Sequence, residues 1–203
     1  LGFQGVDAIR RQLHAQARVV PVVAAPRRID VAAIAARLPS PETGDGLVSP
    51  QEAHLAFGPR WRVLCSRTTG AEEGLATLAL PAAFRAEAGE WLLHPALMDM
   101  ATGWAMGLIA GYRPDHLWVP VSYGLVRVLR PLPARIVSHV VNAARNRAEG
   151  ATATFDVTLA TPEGEVCVEI EGFSIRRLDG ALAFGKPDAR ELEFDDGPAQ
   201  AKP

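Results

Sequence analysis

Residues 99–111, Asp-Met-Ala-Thr-Gly-Trp-Ala-Met-Gly-Leu-Ile-Ala-Gly, restrict the possible folds more than any other stretch of this chain. At helical spacing Met100, Ala101, Trp104, Ala105, Leu108 and Ile109 leave almost no polar face. A helix of that kind must be buried on most sides. Gly103, Gly107 and Gly111 fall four apart on one stripe. Each glycine inside a helix costs about 1 kcal/mol relative to alanine. A sheet wrapping closely round the helix would justify that cost.

The segments around this helix read as strands. Trp61–Thr69 and Gly74–Leu80 flank a hairpin-like loop. Strands are predicted again at Trp118–Val128, Arg135–Ala144, Ala151–Ala160 and Val166–Leu178. Phe155, Val157 and Leu159 alternate with Thr154, Asp156 and Thr158. Val166, Val168 and Ile170 alternate with Cys167, Glu169 and Glu171. Period-2 alternation belongs to an antiparallel sheet with one wet face and one face on a core. The expected fold class is α+β, a curved antiparallel sheet wrapped around one long central helix, which is the hot-dog architecture.

The ends read differently. Residues 1–40 carry a helix candidate at Val6–Ala17, a short apolar strand at Arg18–Ala24, and a helix at Val31–Arg37 that Asp30 could cap. Residues 39–46 have linker composition. After Asp179 the chain turns Ala-, Gly-, Asp- and Pro-rich and reads as a flexible linker. The domain is therefore expected at 47–178, between a 1–40 tail and a 179–203 linker.

Bulk properties exclude several function classes. The 203 residues are 48% hydrophobic, so a core is feasible, and the net charge of −2 comes with scattered Lys and Arg rather than a basic block. Nucleic acid is not an expected partner. The apolar runs are too short to span a bilayer, so no membrane partner is expected. Cys65 and Cys167 read as free thiols of a reducing compartment, and no Cys/His spacing suggests a metal. There is no glycine-rich phosphate loop and no nucleophile elbow.

One carboxylate stands out. Asp99 ends the apolar run Leu92-Leu93-His94-Pro95-Ala96-Leu97-Met98, where the glycine-spaced helix is expected to begin. An acid in an apolar cradle that still faces a cleft becomes a proton donor near neutral pH. The start of a helix pulls the other way, toward ionisation. Arg127, Arg130 and Arg135 could form a basic patch, against the alternative of a solvated strand edge.

Four segments carry a resemblance. His94-Pro95-Ala96-Leu97-Met98-Asp99 resembles the "LHPALLD" signature of dehydratase domains of modular polyketide synthases and related fatty acid synthases. Phe57-Gly58-Pro59-Arg60-Trp61 resembles their "YGPxF" segment, Val119-Pro120-Val121-Ser122-Tyr123 their "LPFSW" strand, and Gly172-Phe173-Ser174-Ile175-Arg176-Arg177 their closing strand. The order and spacing match the second half of such a domain. Gly5–Leu13 and Val19–Val23 resemble the last helix and strand of a synthase ketoreductase.

The resemblance implies a function. A family dehydratase is a double hot dog that removes water from a 3-hydroxyacyl thioester. A histidine of the first half takes the α-proton, and the aspartic acid of the second protonates the departing hydroxyl. Asp99 takes that catalytic role here. His94, Pro95, Gly103, Trp118, Pro120 and Tyr123 are the candidate substrate-binding residues. No cofactor is bound directly. The substrate is carried on the phosphopantetheine of an acyl carrier protein, which is one expected partner; a second hot-dog domain is the other. The expected setting is the cytoplasm.

The chain departs from the family in two respects. His54 has an HxxxG spacing, but Val63 stands where the motif has proline. The family also has glutamine or histidine four residues after the aspartate, and single hot-dog hydratases have histidine five after it; here Gly103 and Trp104 fill those positions. The alternatives are therefore a non-catalytic hot dog that packs or binds a carrier protein, or an isomerase or cyclase variant.

Overall fold

A computed structural model describes residues 15–21, 23, 25–44 and 47–178. The order of elements is α1 (Val31–Ala36), β1 (Glu42–Thr43), β2 (Leu64–Thr69), β3 (Glu73–Ala79), α2 (Pro95–Gly103), β4 (Trp118–Ser122), β5 (Leu125–Val128), β6 (Arg135–Asn142), β7 (Thr152–Ala160) and β8 (Val166–Arg177). Short 3-10 turns lie between them, at Pro59–Trp61, Ala82–Gly89 and Ala105–Leu108 among others. The eight strands form one sheet in the order β1-β2-β3-β6-β7-β8-β4, with β5 also paired to β8. Every named pairing is antiparallel.

The alternation in the sequence becomes the two faces of this sheet. In β7, Phe155, Val157 and Leu159 are buried while Asp156 is exposed. Cys167 departs from its strand's pattern and is buried beside Val166 and Val168. Arg27 to Ile29 bond to Gly164 and Val166 next to it, so a further segment pairs alongside this end of β8. Cys65 and Cys167 are both free thiols.

The central helix is shorter than expected and begins earlier. It runs from Pro95 to Gly103, with His94 as its N-cap residue, and is followed by the 3-10 turn at Ala105–Leu108. Pro95 explains the start: its fixed φ suits the first helical position, where no N–H is needed. Ala96, Leu97, Met100, Ala101 and Trp104 are buried against the sheet. Trp104 donates its indole N–H to Ser138 Oγ at 3.1 Å, and Ser138 donates to the Ala101 carbonyl at 2.8 Å. This buried relay ties α2 to β6.

The glycine stripe does not admit the sheet. A Cβ on Gly107 would meet Thr69 at 3.6 Å, an ordinary contact, and one on Gly103 would meet nothing nearer than Gln51 Nε2 at 4.0 Å. Gly111 serves a turn, at φ +78°. The close approach belongs to Gly74 of β3, where a Cβ would lie 2.8 Å from both the Thr68 carbonyl and the Trp104 ring.

The N-terminal expectations divide. Val6 to His14 lie outside the described residues, Ala15–Ala17 are not helical, and Arg18–Pro21 and Val23 form no strand. Asp30 caps α1 as expected, its carboxylate accepting from Ala33 N at 2.9 Å. The supposed linker 39–46 contains β1, which pairs with β2. Arg37, just after α1, reaches back to the sheet by ion-pairing with Glu73, to which His139 Nε2 also bonds at 2.7 Å. Arg37 first, and His139 after it, hold the Glu73 carboxyl down from its ordinary 4.5 to about 2.

Two predictions follow from these contacts. Gly74→Ala should destabilise the protein by about 1–3 kcal/mol in chemical denaturation, the range for overpacking a close contact, whereas Gly107→Ala should cost less because its neighbour stands at an ordinary distance. A depressed carboxylate contributes stability that is present above the unfolded-state value and lost as pH falls through the folded-state value. Glu73→Gln should therefore lower stability at neutral pH and flatten its loss between about pH 4.5 and about pH 2, measured by thermal unfolding across that range.

Candidate active site

Asp99 lies on α2 opposite the stripe that packs on the sheet, and it is exposed. The expected apolar cradle is therefore absent. The reason is helical phase: at about 100° per residue Leu97, Met100, Ala101 and Trp104 turn to the sheet and Asp99 turns away from it. Its carboxylate accepts a hydrogen bond from the Trp61 indole, Nε1 to Oδ2, at 2.8 Å.

Trp61 is delivered by the 3-10 turn Pro59–Trp61, closed by Trp61 N donating to the Gly58 carbonyl at 3.0 Å. Pro59 at the first position favours that turn. Phe57 stacks on the Trp61 ring with centroids 6.5 Å apart and planes 10° from parallel. Arg60 turns to the other side, bonding both oxygens of Glu87 at 2.9 Å and lying 4.6 Å over the Phe84 ring. Glu87 also meets His94 Nε2 at 3.2 Å. Arg60 first, and His94 after it, hold the Glu87 carboxyl below its usual range. A cleft of about 320 Å³ opens here, lined by Arg60, Trp61, Glu87, Trp91, His94 and Pro95. Trp61 thus borders both the cleft and Asp99.

Tyr123 completes the neighbourhood. The expected strand Trp118–Val128 is broken at Tyr123-Gly124 into β4 and β5. Gly124 allows the break: a Cβ there would lie 2.9 Å from the Glu171 carbonyl, and Gly172 faces it at φ +65°. The Tyr123 ring rests on Phe173, centroids 5.0 Å apart, and is 46% exposed. Burial first, and the Asp99 carboxylate second, push its phenol above the ordinary value, while a hydrogen bond with Thr102 opposes them. Asp99, Thr102, Trp61 and Tyr123 therefore form one group.

The remaining candidates lie at varying removes. His94 is 1% exposed and Pro95 lies at the rim of the cleft. Gly103 faces the Ser49–Gln51 turn, its carbonyl accepting from Ser49 Oγ at 3.4 Å. Pro120 is exposed on β4, an edge strand that tolerates a missing N–H. Trp118 is buried at the far end of β4, roughly 15 Å along the strand from Tyr123. Arg127 and Arg130 are ion-paired with Glu171 and Glu165, which favours the solvated strand edge over a basic patch.

No described histidine is bonded to Asp99. His94 faces Glu87, His139 faces Glu73, His116 faces Asp115 at 2.8 Å, and His54 is exposed at the end of a 3-10 turn. His14 lies outside the described residues. Among the described residues no group of His, Cys, Asp and Glu could hold a metal ion, and no helix is long and apolar enough to cross a membrane. Trp61 and Thr102 were not singled out as site residues by sequence reasoning. For Trp61 the signal was available, since an indole stands where the family segment carries phenylalanine.

Comparison with known proteins decides the family. The model of the polyketide synthase dehydratase N-terminal domain matches residues 26–183. The chain belongs to this dehydratase family. The matching description names an N-terminal domain, whereas the four motifs resemble the second half of such dehydratases. The polyketide synthase PksM of Bacillus subtilis (strain 168) is 30% identical over 131 residues, 62% of this chain and 3% of that protein. Among solved structures, the dehydratase domain from the CurF module of curacin polyketide synthase superposes with a TM-score of 0.64 at 19% identity, over 79% of this chain and 56% of that one. An inactive Asp→Asn mutant of the CurK dehydratase gives 0.62 at 17% identity, over 77% of this chain and 55% of that one. These likenesses establish the hot-dog dehydratase fold. The chain spans little more than half of those dehydratases and a small fraction of the curated synthase.

Proposed function

We propose that this chain supplies the aspartate-bearing half of a polyketide synthase dehydratase, acting on a 3-hydroxyacyl thioester held on the phosphopantetheine of an acyl carrier protein in the cytoplasm. The observation that carries the reading is the Asp99 carboxylate, displayed on the outer face of the buried helix, hydrogen-bonded by Trp61 and within electrostatic reach of Tyr123. The inactive Asp→Asn mutant of the CurK dehydratase agrees with an essential aspartate in this fold.

In the proposed reaction a histidine from a second hot dog removes the α-proton. The electron pair forms the α,β double bond as the β C–O bond breaks. Protonated Asp99 gives its proton to the leaving hydroxyl, so that water departs and the 2-enoyl thioester remains. Pro95, Gly103, Pro120 and Tyr123 are proposed to border the acyl chain and its arm, with buried His94 backing the cleft and buried Trp118 lying away from it.

The need for a second hot dog has support at the surface. Val121, Tyr123, Leu125, Val126 and Val128 are all between 36% and 55% exposed along β4 and β5. An apolar strand edge of this kind is normally covered. A non-catalytic reading has one specific support, the lack of a histidine bonded to Asp99 among the described residues.

Turnover decides between them. With a histidine-bearing hot dog added, the chain should convert a 3-hydroxyacyl carrier protein to a product lighter by one water in mass spectrometry, and Asp99→Asn should abolish this. Absence of turnover with wild type would favour the non-catalytic reading. Sedimentation should show association at micromolar concentration that Val126→Lys weakens; a strict monomer would contradict the covered edge.

A further inference from the structure

The resemblance implies glutamine or histidine four residues after the aspartate, a side chain that could hydrogen-bond the carboxylate, and here that residue is Gly103, which has no side chain. Resting on the proposed role of Asp99 as the acid, we infer that Trp61 replaces it as the positioning residue of Asp99, fixing the carboxyl group and deciding which of its oxygens faces the substrate.

The indole N–H is a donor with no acceptor and no accessible ionisation. Its 2.8 Å bond to Oδ2 occupies that oxygen in either state of Asp99. When Asp99 is protonated, the carbonyl oxygen is the better acceptor for the indole, which favours the proton on Oδ1. An acid held in this way presents its O–H in one direction. Loss of that orientation is costly, because misplacement of a reacting group by about 1 Å can slow a reaction by about 100-fold.

The surroundings hold the indole in place. Phe57 stacks on one side of it. Arg60, the next residue back, is fixed to Glu87 by two bonds of 2.9 Å, and Glu87 bonds His94, the N-cap residue of α2. The Pro59–Trp61 turn therefore grips α2 at two points, His94 through Arg60 and Glu87, and Asp99 through the indole. In this arrangement the buried His94, with its Nδ1 unpartnered, belongs to the scaffold of the donor.

The space beside Gly103 makes the substitution reversible. A Cβ there would meet only the end of the Gln51 side chain, at 4.0 Å. The Cβ of a glutamine at 103 meets no obstacle, and the residue lies one helical turn beyond Asp99, on the same side.

The test uses the full chain with and without the histidine-bearing hot dog. In proton–nitrogen spectra the Trp61 indole signal, assigned by its loss in Trp61→Phe, should exchange slowly with solvent and should shift and exchange faster in Asp99→Ala. In turnover, Trp61→Phe should lower kcat by about 10- to 100-fold with KM little changed, and Trp61→Phe combined with Gly103→Gln should recover most of it. Phenylalanine is the residue of the family segment, so Trp61→Phe should keep the fold; unfolding midpoints check this, and Trp61→His, which keeps a donor, should retain more activity than Trp61→Phe. An indole signal indifferent to Asp99→Ala, or a Trp61→Phe variant with wild-type kcat, overturns the inference while leaving Asp99 as the acid. A wild-type chain without turnover overturns the dehydratase reading instead, and the indole signal still reports whether the bond exists.

Discussion

Burial of one face of α2 on the sheet is the constraint from which the rest of the structure follows. Leu97, Met100, Ala101 and Trp104 turn inward and make the helix part of the core. The Trp104–Ser138–Ala101 relay sets its rotation, because a buried indole N–H left without an acceptor costs about 1–3 kcal/mol. With the rotation fixed, the opposite face must carry Asp99. Its place in the molecule is decided by side chains it does not touch.

What surrounds Asp99 comes from two other regions brought to the same face. The Pro59–Trp61 turn contributes a neutral donor, and the Gly124 break between β4 and β5 contributes Tyr123. Both depend on residues with special backbone properties: a proline that starts a 3-10 turn, and a glycine pressed against the Glu171 carbonyl. The carboxylate is thus held by hydrogen bonding at the surface rather than by burial in apolar surroundings. The free strand edge and the solvent-facing position of Asp99 are both consistent with a site completed by a second hot dog.

Strand pattern and family could be read directly from the sequence, because period-2 alternation and short motifs are local properties. The strands β3, β6, β7 and β8 fall within a few residues of their expected limits, and Asp30 caps α1 as its chemistry suggests. The length of the central helix could not be read in this way. Its apolar periodicity continues past Gly103, but the chain tightens into a 3-10 turn there. The apolar run before Asp99 suggested a cradle, but on the helix Leu97, Met100 and Ala101 turn to the sheet and leave the carboxylate on the opposite face. The Trp61 bond spans 38 residues and depends on tertiary placement, so only the unusual indole in Phe57-Gly58-Pro59-Arg60-Trp61 hinted at it.

The central claim is that the chain provides the acid and a different hot dog provides the base. Deuterium exchange at the α-carbon separates the two roles. In heavy water, Asp99→Asn with the histidine-bearing partner should incorporate deuterium at the α-carbon of a 3-hydroxyacyl thioester while releasing no water. Release of water at the wild-type rate by that variant would contradict the account.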